Sequence, residues 1–226
     1  LARKLETGGC FGVERERREG QAESHGKDVG VLREELRVRS PEEVARRAGA
    51  RLCREDDSTS LSLPYWDREV LVGFPGITVR YGDSGREVDD KTEQLIVHYL
   101  HTADGSAGSG TWVSLAELPD GSFYRNAYQG YSGDHLALML EDDLDSLRRA
   151  AVSLGGRPEG FGDLSFSFEP LPRLSLLLVY WRSDEEFPPS SQVHFSDSAS
   201  HCLPTDLCAS LGRLLVDKLL AARESG

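Results

Sequence analysis

The residues predict an α+β fold, a mostly antiparallel sheet packed against several helices, as a single domain over residues 40–226 behind a charged extension over 1–39. Three observations carry that prediction. Short extended runs broken by Gly, Pro and Asp cluster between residues 61 and 81. Apolar residues then recur at three- and four-residue steps, as helices require. Two further extended runs follow, one of them apolar throughout.

Residues 1–39 are rich in Arg and Glu and keep no sustained apolar period, so they read as solvated, with some helix around VLREELRV. At SPEEVARRAGA, Ser40 is placed to cap a helix, Pro41 fits its first position and Gly49 ends it. LSLPYW, REVLVGF and GITVRY form an antiparallel meander, and a helix starts near Asp89 or Asp90 and covers KTEQLIVHYLHTA. DGSAGSG reads as a flexible connection, because no strand precedes it and no Gly-Lys-Ser/Thr closes it as a phosphate loop would require. One long helix is expected over Gly133–Leu154, since Leu136, Leu140, Leu144, Leu147, Ala151 and Leu154 share a face before Gly155-Gly156. DLSFSFEP alternates as a half-buried strand, RLSLLLVYW suits a central strand covered on both faces, and a last helix runs from Thr205 to Ala222.

The 226 residues are 38% hydrophobic and include three Trp, seven Tyr and eight Phe, which is ample for one core. Net charge is −12, and residues 1–54 hold 13 of the 26 Lys and Arg but only 10 of the 38 Asp and Glu, so the rest of the chain is strongly acidic. That balance disfavours phosphate backbones and anionic lipid, and no apolar run is long enough to span a bilayer. The expectation is no nucleic acid and no membrane. Cysteines at 10, 53, 202 and 208 form no disulfide framework, and the first twenty residues carry no apolar signal segment, so the chain reads as reduced and cytoplasmic.

HFSDSASHCLPTDLC packs two His, two Cys and two Asp into fifteen residues. Zinc is commonly held by C-x2-4-C or H-x3-5-H pairs; here His194 and His201 are seven apart and Cys202 and Cys208 six apart. Cys208 shares a stripe with Leu207, Leu211, Leu214 and Leu215, so it reads as core, and Thr205 or Asp206 is placed to satisfy helix amides. The stretch reads as a loop leading into a capped helix. On the preceding helix Leu95, Ile96, Tyr99, Leu100 and Ala103 form the apolar face, leaving His101 solvated and His98 at the border. Asp184, Glu185 and Glu186 follow the most apolar strand and could hold a cation, but Pro188-Pro189 closes them as a solvated turn. No G-x-S-x-G element is present, and no catalytic residue is singled out.

LLLVYWRSDEEFPPSSQVHFSDSASHCLPTDLCASLG resembles the C-terminal signature of a prokaryotic family catalogued as domain of unknown function 3786. Asp184 to Pro189 match its acidic-aromatic turn; Asp197, His201, Leu203, Pro204 and Thr205 match its helix start, although Ser196 stands where Phe would precede the Asp. HYL, GTWVSLAELPDGSFYRNAY and SLGG are similar to its middle section, so the resemblance spans about residues 40–222. It implies a protein of anaerobes with a corrinoid or iron–sulfur protein as partner. This chain has no ferredoxin-like cysteine run of its own.

The function expected from these residues is a non-catalytic accessory module that binds a ligand or a partner protein. Its candidate contacts are Trp112, Tyr124 and Tyr128, in an aromatic segment that also holds Phe123 and Tyr131, together with Asp184, Glu185 and Glu186 of the acidic exit loop and with Asp197 and His201. The alternative is a metal-dependent enzyme using His98, His101, His194 and His201 with Asp197 as ligand or orienter. No cofactor follows from the sequence.

Overall fold

The computed structural model describes residues 28–55 and 58–224; most of the charged extension, residues 1–27, lies outside them. Helix α1 (Val29–Arg37) buries Leu32 and Leu36, and α2 (Pro41–Ala48) begins where Ser40 Oγ accepts from the Glu43 amide and ends at Gly49 in the left-handed region. Strands β1 (Arg51–Glu55), β2 (Ser58–Tyr65), β3 (Arg68–Phe74) and β4 (Thr78–Tyr81) form a four-stranded antiparallel meander in that order. Within this meander β1 was not foreshadowed, because its Arg51, Arg54 and Glu55 sit on a polar edge strand without a buried face. Leu61, Leu63, Val70, Val72 and Val79 turn the other side of the meander into the core.

Helix α3 (Asp90–Thr102) starts at Asp89, whose carboxylate accepts from the amides of Lys91 and Thr92. After it come the short strand β5 (Trp112–Val113), two 3-10 turns, α4 (Arg125–Tyr131), α5 (Gly133–Leu140) and α6 (Leu144–Ser153). Strands β6 (Arg157–Pro158), β7 (Leu164–Leu171), β8 (Leu174–Trp181) and β9 (Ser190–Ser196) complete a second antiparallel sheet in the order β5-β9-β8-β7-β6. Helix α7 (Thr205–Glu224) closes the chain. The α+β expectation holds, and β8 is the middle strand with Leu176, Leu177, Leu178 and Val179 all buried. The stretch from His194 was expected to begin as a loop, but His194, Phe195 and Ser196 end β9, where His194 pairs with Leu177 and Phe195 with Leu176 of the central strand.

The single long helix expected over Gly133–Leu154 is broken in two. Glu141 and Asp142 adopt φ of 46° and 67°, and α6 restarts with Asp143 accepting from the Ser146 amide. Asp142 is held there from outside the helix: its carboxylate accepts from the amide and hydroxyl of Ser183, and its own N–H donates to Tyr180 Oη. Aspartate tolerates the left-handed region better than most side chains, so these tertiary bonds outweigh the apolar period.

The far edge of β9 is covered rather than left open. Gln129 Nε2 donates to the Ser191 carbonyl at 2.9 Å and Tyr128 Oη to Val193 O at 3.4 Å. A Cβ at Gly133 would collide with Ser191 O, and one at Gly212 with Tyr128 Oη, so two glycines let α5 and α7 close over this edge.

One buried side chain ties the two halves together. Tyr99 Oη donates to the Ala48 carbonyl at 2.6 Å and accepts from the Arg173 amide at 3.2 Å. Arg173 Nη2 donates to Arg46 O at the end of α2, while its carbonyl accepts from Ser198 Oγ and Cys202 Sγ. Burial holds the Tyr99 phenol well above its usual range. A Tyr99→Phe variant leaves a buried carbonyl and a buried amide without that partner, so urea denaturation is expected to show a loss of about 2 kcal/mol or more.

Candidate functional site

The aromatic segment and the helix-start segment, far apart in sequence, meet at the N-terminus of α7. Ser114 opens the first 3-10 turn (Leu115–Glu117), its amide and hydroxyl both donating to Glu117 Oε2. Asp120 then takes φ of 58°, and Gly121 starts the second turn (Gly121–Phe123) so close to Leu115 O that a Cβ there would collide with it. This double turn throws Phe123 outward, 84% exposed, with Tyr124 beside it at 40%, while Tyr128 one turn later is 4% exposed. Tyr128 packs edge-on to Tyr131 at 5.6 Å between centroids and tilted against Phe195. Of the two tyrosines expected to bind, Tyr124 faces solvent and Tyr128 is core.

Phe123, Tyr124, Pro119 and Asp120 form one wall of an open groove of about 620 Å³; Leu203, Pro204, Thr205 and Asp206 form the other. Thr205 does not cap its helix. Its hydroxyl donates instead to the Pro119 carbonyl at 2.6 Å, which ties the two walls at one end. Asp206 lies in the first turn of α7, where a carboxylate offsets the helix dipole. Behind the groove His98 is 3% exposed and its Nε2 has no hydrogen-bond partner among the described residues. Its border position on the helical wheel therefore became a buried one. Burial pushes its pKa below the ordinary histidine value, against an opposing pull from Asp206.

A second cavity, of about 280 Å³, lies on the other side of the same segment, between the Gly/Ser loop and the β7–β8 turn, with Trp112, Ser196 and Ser198 in its lining. The loop expected to be a flexible connection is clasped at both ends. Asp197 accepts from the Ser109 amide at 3.0 Å and from its hydroxyl at 2.5 Å, and the Ser109 hydroxyl, ahead of that amide, holds the carboxyl below its usual range. At the other end His201 Nδ1 lies 2.8 Å from Asp104 Oδ2, and the Asp104 amide donates to His201 O. The Ser106 hydroxyl and amide, with His201, hold the Asp104 carboxyl far below the carboxylate range.

Ser106, His201 and Asp104 are not arranged as a hydrolytic triad. Ser106 Oγ lies 3.5 Å from His201 Nδ1, the same nitrogen that Asp104 engages, whereas a triad needs the serine on the opposite nitrogen from the carboxylate. These contacts make a loop clasp.

Asp184 folds its loop into an Asx turn by accepting from the Glu186 and Phe187 amides at 2.8 and 2.7 Å, leaving Glu185 and Glu186 exposed, as a solvated turn predicts. The four histidines face separate partners. His101, expected to be solvated, is mostly buried against Glu35 and Arg39; His194 pairs with Gln192, His201 with Asp104, and His98 is alone in its packing. Among the described residues no three His, Cys, Asp or Glu side chains converge as metal ligands would. Cys202 and Cys208 are buried; burial raises the first thiol to about 12 and the second higher still, which leaves neither nucleophilic near neutral pH.

The family model described as Domain of unknown function (DUF3786) matches residues 40–218. The chain belongs to that family. No curated protein and no solved structure matches it. Both groove walls of this DUF3786 domain, and both clasps, lie inside the matched region. No helix among the described residues is long and apolar enough to cross a membrane. Sequence reasoning singled out Tyr124, Asp197 and His201 but missed Asp120 and Asp206 as groove carboxylates. The Pro-Asp-Gly turn signal at 119–121 was the available clue to the first.

Two outcomes follow from this geometry. Replacing Asp197 with Ala frees the Ser109 amide and hydroxyl, so hydrogen exchange across residues 105–111 is expected to quicken, with a stability loss of about 1 kcal/mol. Because burial lowers the folded-state pKa of His98, the unfolded chain binds more protons as pH drops through the ordinary histidine range, and stability falls with it. His194 is lowered by burial as well and acts with the same sign. Thermal unfolding between pH 7.5 and 5.5 should therefore be flatter in His98→Leu than in the parent, and flatter again when His194 is also replaced.

Proposed function

We propose that the protein is a non-catalytic binding module and that the groove between the aromatic turn and the start of α7 takes its ligand or partner. The observation that carries this reading is Phe123, a large apolar side chain left 84% exposed on a groove wall by a turn whose geometry is internally specified. Leaving a Phe in water forgoes about 2 kcal/mol of burial, and every other aromatic of the segment finds at least partial cover. Leu203 and Pro204 supply apolar area opposite, and Asp120, Thr205 and Asp206 supply the few polar groups that orient a bound molecule.

A binding role is also supported by the state of the reactive groups. The carboxylates of Asp104, Asp142, Asp184 and Asp197 are engaged in turns and clasps, and the buried thiols are held protonated. The metal-enzyme alternative has less support, since its histidines stand apart. The family resemblance makes a corrinoid or iron–sulfur protein of an anaerobe a candidate occupant, in the cytoplasm.

Phe123→Ser and Tyr124→Ser should each leave stability within about 0.5 kcal/mol, as exposed substitutions do. Thermal shift against cobalamin and nucleotides, on the parent and both variants, tests the site. A ligand shift that the variants lose supports the groove. A shift they retain places binding elsewhere, and no shift with either ligand class leaves only the partner-protein form of the proposal.

A further inference from the structure

The groove also carries information about the charge of what it binds, and this inference rests on the binding reading above. Its lining includes two carboxylates, Asp120 on one wall and Asp206 on the other, and no Lys, Arg or His among the described residues. Phe123 and Tyr124 expose aromatic surface on the same wall as Asp120, and aromatic rings attract cations electrostatically. Arg125, the nearest basic residue in sequence, is exposed and does not line the groove. The chain beyond residue 54 is strongly acidic, so its field draws positive groups toward this surface.

We infer that the groove docks an extended segment of a partner protein in which a Lys or Arg is flanked by apolar side chains. The cation lies between Asp120 and Asp206, and the flanking side chains cover Phe123 and Leu203. Each wall sets apolar side chains beside a carboxylate, Phe123 near Asp120 and Leu203 near Asp206, which suits a cation flanked by apolar groups. The dipole of α7 opposes a cation at its N-terminus, but Asp206 stands in that first turn and reverses the local sign.

The test is 1H–15N NMR titration of the full chain with acetyl-Leu-Lys-Leu-amide, with the same peptide carrying norleucine or Glu in place of Lys, and with n-butylammonium. The lysine peptide is expected to move the amides of Phe123, Tyr124, Thr205 and Asp206, more tightly than the norleucine peptide, with no response to the Glu peptide. Asp120→Asn and Asp206→Asn should each weaken the lysine peptide roughly two- to fivefold, the equivalent of one exposed ion pair, and added salt should weaken it further.

Equal binding of the lysine and norleucine peptides would overturn the inference while leaving the groove a binding site. Butylammonium binding as tightly as the peptide would overturn the peptide occupant in favour of a small amine. Failure of every probe to move the groove amides, with parent and variants folded, would overturn the inference. Loss of the groove reading itself would show separately, in a cobalamin or nucleotide shift that survives Phe123→Ser.

Discussion

A buried phenol fixes the end of α2 against the β7–β8 turn. Tyr99 is fully buried, and its hydroxyl has one donor and one acceptor role to fill. It gives its proton to the carbonyl that ends α2 and accepts from the amide that opens the β7–β8 turn. An unmade bond at that depth is costly, so the α2 terminus and the hairpin tip have one relative position. Arg173 extends the constraint, reaching back to α2 with its guanidinium and forward to Ser198 and Cys202 with its carbonyl.

The groove and the loop clasps inherit their geometry from that junction. The segment from Ser196 to Thr205 hangs on the Arg173 carbonyl, and it is this segment that clasps the Gly/Ser loop on one side and walls the groove on the other. Asp197 and His201 therefore act on backbone shape. Their polar atoms are engaged with Ser109 and Asp104, which explains why two residues with ligand-type side chains in a signature-like stretch present no open coordination or catalytic geometry.

What remains free to interact is apolar and acidic. Phe123 is displayed by a double 3-10 turn that needs a left-handed Asp120 and a glycine pressed against Leu115 O. Local strain of this kind persists only when surrounding structure over-determines it. Here Thr205 Oγ1 on Pro119 O and the Ser114–Glu117 bonds do so.

Local rules settled much of the molecule. Ser40, Asp89 and Gly49 act as caps because capping needs only a few neighbouring residues. The alternation of Leu164, Phe166 and Phe168 marks a strand face, and the doubly apolar run at 174–181 marks the central strand. The family, too, could be named from residues alone. Tertiary structure decided the rest. The break at Glu141–Asp142 depends on Ser183 and Tyr180, some forty residues away, and overrides an unbroken helical period. Phe123 and Tyr128 belong to one aromatic run, yet the turn exposes the first and the closing of the β9 edge buries the second. Periodicity and capping are written in neighbours. Burial, clasps and the pairing of Asp120 with Asp206 across a groove come from contacts between distant segments, which no local pattern records.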